Sequence, residues 1–370
     1  MNEATPLHQQ QEQSPPAEQP CPEQVLFHHP PPAAFTDKYI ITGELGSGGF
    51  GFVVTAIDSS RREWAVKFIY KDRISAENWC QDKLLGRVPL EIHILSRMHH
   101  PSIIGMVDYY ENDAFCILVT ELHGAAWKDE VVCDAIDSID GSTQLLSMTD
   151  RVSSIVIAAS SPFGSSKLQF NQQLPFHLPT PSADCMIPEP LIRRSSMDLF
   201  ECIEQCDHLT EPQAAYVFKQ VVDGVRFMHS KNVVHRDIKD ENIVIDDQFR
   251  VKIIDFGSAA VDVGTPYRTF RGTIQYAAPE ILRGEKYHGR PCDIWALGIL
   301  LYIILYGEVP FSSGDQAISE SPRAPRFQTS AECQHLIYWM LQKKSTRRPT
   351  IEQVFYHPWL LRVPTRTSSL

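Results

Sequence analysis

His235-Arg236-Asp237-Ile238-Lys239-Asp240-Glu241-Asn242 is the stretch on which the fold of this chain turns. Thirteen residues after Asn242 comes Asp255-Phe256-Gly257, and Ala278-Pro279-Glu280 follows. Upstream, Gly46-Ser47-Gly48-Gly49-Phe50-Gly51-Phe52-Val53 fits G-x-G-x-x-G-x-V, and Ala65-Val66-Lys67 places a lysine sixteen residues after Gly51. Alone, the glycine pattern is weak evidence, since it also opens dinucleotide-binding folds when a helix follows. Here the β-rich run Phe52–Ile57 follows instead. A strand-turn-strand flap of this composition brings backbone N–H groups close to phosphates without Cβ interference.

The rest of the chain supplies a setting for these motifs. Tyr39–Ile41, Phe52–Ile57, Trp64–Ile69 and Phe115–Thr120 read as short strands. From Pro89 the period changes, with Glu91, Ile94, Leu95 and Met98 on one stripe at helical spacing. Glu91 is thereby placed to pair with Lys67. Helical patterns dominate from Met197 onward, at 198–206, 211–230, 291–306 and 331–341. A β-rich lobe followed by a helix-rich lobe is an α+β arrangement with a cleft between.

Two segments break this texture. Residues 1–36 hold eight prolines and six glutamines and are expected to form a disordered arm, because they bury too little apolar area to offset their ordering entropy. Residues 125–196 include twelve serines among 72 residues without a sustained period. A loop of that length inside a compact domain is uncommon, so a flexible insertion is expected there, with retained non-coding sequence as the alternative.

Composition bounds the function. The 370 residues carry 34 Lys+Arg against 45 Asp+Glu, a net charge of −11. No nucleic-acid partner is expected of so acidic a chain, whereas cationic peptides are favoured by long-range attraction. The nine cysteines are odd in number and scattered, without zinc spacing, which fits reduced thiols. The most apolar run, Trp295–Tyr306, is too short for the roughly 20 residues that span a bilayer. A monomer without membrane insertion, cytoplasmic with the nucleus also open to it, is the expectation.

Five motifs in this order and at these distances form the protein-kinase signature set. The resemblance implies a bilobal kinase domain over 37–362: an N-lobe at 37–120, a hinge at 121–124, the insertion at 125–196 and a C-lobe at 197–362, followed by a tail at 363–370. It implies ATP as co-substrate and Mg²⁺, with Mn²⁺ as a substitute. Asp237 would accept or orient the proton of the substrate hydroxyl, and Asn242 and Asp255 would hold the metal. Lys67, held by Glu91, would grip the α- and β-phosphates, and Lys239 would neutralise the transferring phosphoryl group. Gly46, Ser47, Gly48, Gly49, Phe50 and Gly51 would cover the nucleotide. Val53, Ala65 and Val244 would sandwich adenine, with Thr120 as gatekeeper and Glu121 and His123 at the adenine edge. In the activation segment, Thr269 is the candidate phosphate acceptor facing Arg236, Thr273 precedes the substrate-reading region, and Glu280 is expected to pair with Arg348.

Lys239 two residues after Asp237, with Gly272-Thr273, follows the serine/threonine rather than the tyrosine pattern. Asp198 and Glu241 match positions that bind arginines upstream of the acceptor, a task that suits carboxylates because they take the guanidinium fork bidentately. Residues 37–124 and 197–362 are most similar to the catalytic domain of PAS kinases, in the calmodulin-dependent-kinase-like group. The runs Gly49–Val53, Leu90–Arg97, His235–Ile245, Ile254–Ala260 and Gly272–Tyr276 carry the likeness, and Asp293–Gly298 resembles fungal members. That resemblance implies nutrient signalling, with substrates in carbohydrate metabolism or translation. Thirty-six residues are too few for a sensor domain of about 100, so ligand sensing in cis is not expected of this chain. The alternatives are a kinase-fold scaffold without catalysis and another kinase of the same group. Arg193-Arg194-Ser195-Ser196 reads as a self-phosphorylation site at Ser196.

Overall fold

In the computed structural model, residues 21–124 and 198–363 are described. The chain enters through two short helices, α1 (Pro22–His28) and α2 (Ala33–Thr36). Strands β1 (Ile40–Gly48), β2 (Gly51–Ile57) and β3 (Glu63–Tyr70) then meander, and the small hairpin β4 (Trp79–Asp82) and β5 (Gly86–Pro89) leads into helix α3 (Leu90–Leu95). Strands β6 (Met106–Glu111) and β7 (Phe115–Glu121) complete a five-stranded antiparallel sheet of order β1-β2-β3-β7-β6.

Register decides what each face of this sheet does. Val53 pairs with Lys67 and Lys67 with Leu118, while Thr55 pairs with Ala65 and Ala65 with Thr120. Side chains alternate along a strand, so these two rows share the face toward the cleft. The intervening rows, Phe52/Phe68/Ile117 and Val54/Val66/Val119, fill the opposite face. A slip of one residue would exchange the two sets. Gly51 holds the flap tightly against β3, since a Cβ there would lie 1.9 Å from the Phe68 carbonyl oxygen.

The apolar face carries the first correction to the sequence reading. Residues 21–36 were expected within the disordered arm, yet they form α1 and α2 and cap the sheet. Phe35 is wholly buried against Tyr39, Phe68 and Tyr110, and Val25 joins the same cluster. Asn112 Nδ2 donates to the Pro30 carbonyl at 3.0 Å, fixing the connection between the helices. Val25 and Phe35, with Leu26 packed beside them, are the anchors that order this segment. The rest of the arm, the insertion with Ser196, and nearly all of the tail lie outside the described residues.

The second lobe is helical. Helix α4 (Leu199–Cys206) starts at Asp198, whose carboxylate accepts the Glu201 N–H at 2.9 Å as an N-cap. Helix α5 (Glu211–Ser230) opens with a capping box between Thr210 and Gln213. Short strands β8 (Val233–Val234), β9 (Ile243–Ile245), β10 (Val251–Ile253) and β11 (Ala260–Val261) pair as β8/β11 and β9/β10 and bracket the motif loops. After α6 (Pro279–Leu282) comes α7 (Gly289–Tyr306), apolar on every side and buried from Cys292 through Tyr306. A helix with this pattern belongs inside a protein core. It packs on α5 and, beyond α8 (Gly314–Ser319), on α9 (Ala331–Met340). The long helices fall within about two residues of the spans expected from periodicity, the usual uncertainty of helix ends. Helices α10 (Ile351–Phe355) and α11 (Pro358–Leu361) close the lobe on α5.

Candidate active site

A cavity of about 310 Å³ lies between the sheet and the β9/β10 ribbon. Val53 and Ala65 line it from the sheet, Val244 from the ribbon, and Thr120, Glu121 and His123 from the connector, with Lys67, Glu91, Asn242 and Asp255 also on its wall. Gly46 lines it too. Ser47, Gly48, Gly49 and Phe50 sit farther out at the exposed tip of the flap, where Phe50 is 71% exposed. The connector is fixed by Glu121, whose carboxylate accepts the Gly105 N–H at 2.7 Å and pairs with Lys252 at 2.8 Å. His123 Nε2 donates to the Arg250 carbonyl at 2.9 Å.

Lys67 bridges two carboxylates, Glu91 of α3 at 2.6 Å and Asp255 at 2.8 Å. Burial alone would lower the lysine pKa, but the Asp255 and Glu91 charges outweigh it and raise it. Lys67 in turn holds the Asp255 carboxyl well below the usual range, whereas burial pushes Glu91 upward. Asp255 adopts the left-handed conformation at φ 57° and accepts the Gly257 N–H at 3.2 Å. Left-handed backbone at a residue other than glycine is strained, and such strain clusters at functional sites. Arg236, at φ 66°, is a second instance.

The catalytic loop hangs from one buried carboxylate. Asp293 at the start of α7 accepts the N–H groups of His235 (3.0 Å) and Arg236 (2.8 Å) and also bonds His229 at 2.9 Å. His235 Nδ1 accepts the Asp237 N–H at 3.3 Å, which assigns the ring proton to Nε2, donating to the Ile254 carbonyl at 3.1 Å. The imidazole stands edge-on to Phe256, with ring centroids 5.2 Å apart.

Asp237 itself is oriented from two sides. Its Oδ1 accepts the amide and the hydroxyl of Thr273, and Asn242 Nδ2 donates to its main-chain oxygen at 2.8 Å. Gly272 permits the approach: it has φ 137°, and a Cβ there would lie 2.5 Å from the Arg236 carbonyl oxygen. Lys239 donates to Glu241. Burial disfavours its charge, yet the Glu241 hydrogen bond and the Asp237 charge leave its pKa raised.

The activation segment is tied down at both ends. Arg348 forms a buried bidentate pair with Glu280, at 2.8 and 2.7 Å. Arg271 reaches Ser75 and Glu77 ahead of the β4–β5 hairpin. Arg236 donates to the Ser258 carbonyl at 2.7 Å and stacks on Tyr267. The Thr269 carbonyl accepts from Tyr287 Oη at 2.9 Å. Beside the catalytic loop runs a second groove, of about 300 Å³, lined by Lys239, Glu241 and Thr273 and also by Glu204, Asp207 and Glu308. Glu241 lies on this groove wall. Asp198 acts as the cap of α4 and is not on the groove wall. The last three carboxylates carry no mark in the sequence, because each is separated from the His235–Asn242 motif by more than twenty-five residues and nothing local points to it.

Residues 39–136 and 182–360 match the protein kinase domain family, and the chain belongs to it. The match breaks inside the stretch expected to be an insertion. The PAS domain-containing serine/threonine-protein kinase of Mus musculus is 35% identical over 325 residues, covering 87% of this chain and 18% of that protein. Serine/threonine-protein kinase PSK1 of Saccharomyces cerevisiae is 32% identical over 332 residues, covering 88% of this chain and 19% of that protein. The human NUAK family SNF1-like kinase 2 is 30% identical over 329 residues, covering 87% of this chain and 40% of that protein. The chain therefore spans about a fifth of the length of the first two, and the likeness to PAS kinases read from the motifs agrees with them.

Proposed function

We propose that this chain is a serine/threonine protein kinase that moves the γ-phosphoryl group of ATP to hydroxyls of protein substrates with arginine upstream of the acceptor. The observation that carries this is the Lys67–Glu91–Asp255 ion triad on the wall of the cavity together with Asn242 on the same wall, which is bonded to an Asp237 oriented by Thr273. Phosphoryl transfer asks a protein for positioning and charge neutralisation rather than covalent chemistry, and these groups supply both.

The residues suit a divalent cation. Asp255 is kept ionised by Lys67, and Asn242 has its amide nitrogen committed to Asp237, which leaves its oxygen as the hard donor. Mg²⁺, or Mn²⁺ in its place, would be held by Asn242 and Asp255 and would neutralise phosphate charge. Asp237 orients the substrate hydroxyl and takes its proton, and Lys239 faces the transferring group. Glu241 on the groove wall supports the arginine preference, as does the net charge of −11. By analogy with PAS kinases we assign the chain to nutrient and carbohydrate-metabolism signalling, as a cytoplasmic monomer with access to the nucleus.

The test is ³²P transfer from Mg·ATP to an arginine-directed peptide library by the full chain, by a chain lacking residues 125–196, and by an Asp237→Asn control. Transfer by the full chain that vanishes in the control supports the reading. Transfer only after the deletion would make residues 125–196 an inhibitory gate. Silence from both would overturn the assignment as an enzyme.

A further inference from the structure

The end of this second groove formed by Glu308 is already engaged by two of the chain's own arginines, which pair with Glu308 without lining the groove. Gly307 packs so closely on Asp207 that a Cβ would lie 2.1 Å from the Asp207 carbonyl oxygen, which sets Asp207 and Glu308 together at that end. The opposite end is marked by Lys239, Glu241 and Thr273, next to Asp237. Arg326 Nε lies 3.4 Å and an Arg323 terminal nitrogen 3.7 Å from the same oxygen of Glu308.

Both arginines are delivered by an anchored segment. The Arg323 N–H donates to the Pro310 carbonyl at 3.1 Å, its own carbonyl accepts from Tyr302 Oη at 3.3 Å, and its guanidinium reaches Ser312. One residue beyond Arg326, Phe327 stacks on His208 with ring centroids 4.5 Å apart. Glu308 is 19% exposed in its side chain, against 47% and 54% for the two arginines. The carboxylate is thus largely covered, and the guanidinium groups reach it from the solvent side.

We propose that Arg323 and Arg326 are specificity-determining residues that mask Glu308, confining arginine recognition to the end of the groove nearest Asp237. Two guanidinium groups already share one oxygen of Glu308, so a substrate arginine would have to displace them to reach it, and such competing elements shape specificity as much as attractive ones. This rests on the arginine-directed activity proposed above. A substrate with a single arginine close to its acceptor is served by Glu241, and a second arginine farther upstream gains nothing.

The experiment compares kcat/KM for two peptides on the full chain. One has a single arginine three residues before the acceptor serine, and the other has an added arginine farther upstream. The unaltered protein should use them about equally. The Arg323→Gln/Arg326→Gln variant should favour the second peptide by about fivefold, the size expected for a partly exposed ion pair, and adding Glu308→Gln should remove that gain. Arg326→Gln alone, which leaves the Arg323 anchor intact, should show the same change at smaller amplitude. An unaltered chain that already prefers the second peptide, or variants whose ratio does not move, would overturn the masking. Failure of the unaltered chain to phosphorylate either peptide, when it also fails on the library, would instead remove the activity on which the masking rests.

Discussion

Thr273 gives both its amide and its hydroxyl to a single oxygen, Oδ1 of Asp237, each at 2.9 Å. The activation segment thereby orients the carboxylate proposed to take the substrate proton. Asn242 touches the other oxygen only weakly, at 3.3 Å, so the threonine is the dominant restraint.

Replacing Thr273 by valine keeps the amide bond and the side-chain shape but removes the hydroxyl. We expect kcat to fall by about ten- to a hundredfold, at or below the low end of the roughly 10²–10⁴-fold that a positioned acid–base group contributes, since the group is misoriented rather than removed, with little change in the KM for ATP. Thr273→Ser should restore most of the rate. Steady-state kinetics on one arginine-containing peptide check both.

The Arg348–Glu280 pair is bidentate, and both side chains are almost wholly buried. Removing one member leaves the other charge without its partner in a poorly solvated site. Arg348→Ala should therefore destabilise the domain by about 3–5 kcal/mol, measured by denaturant unfolding. Arg348→Lys should recover only part of this, because an ammonium cannot reproduce the planar fork.

Phe35 is buried in an aromatic cluster although it precedes the first strand. Phe35→Ala should cost about 3–5 kcal/mol, the range for deleting a core aromatic ring. A chain beginning at residue 37 should show a comparable loss. Thermal melts of the two variants against the full chain test this, and equal melting temperatures would show that α1 and α2 contribute nothing.

Lys343 supplies a pH signature. Burial, reinforced by the nearby Arg348 charge, lowers its ammonium from 10.5 to about 8. The folded pKa lies below the unfolded one, so between about pH 8 and about pH 10.4 the unfolded chain binds more protons. Stability relative to a Lys343→Met variant should rise with pH across that window and be flat below it. Urea unfolding of both proteins at pH 7, 8, 9 and 10 reads the difference, and a downward trend would contradict the assignment.

What could be read in advance follows from how local each constraint is. Asp237, Asn242, Asp255 and Lys67 could be singled out because the signature set of the protein kinase domain places those residue types at nearly fixed separations. The long helices were legible because their apolar period persists over many turns. The segment 21–36 was not, since its anchors Val25 and Phe35 follow a glutamine-rich stretch and flank the Pro30–Pro32 run, with no period of their own. The hairpin β4–β5 shows no clean alternation, and Leu84 near its turn is 93% exposed. Asp198 illustrates a different limit: a carboxylate just ahead of a helix serves equally as a cap or as a ligand for arginine. The groove carboxylates Glu204, Asp207 and Glu308 meet Glu241 only once the chain has folded.

Asp293 has a bearing on how this protein fails. The main chain of the catalytic loop is fastened to the first turn of the most deeply buried helix, with His229 fastened to the same carboxylate. The loop cannot soften while that helix stays in place. On heating, loss of turnover and loss of helical circular dichroism should follow one curve, with no temperature interval in which an intact but idle protein accumulates.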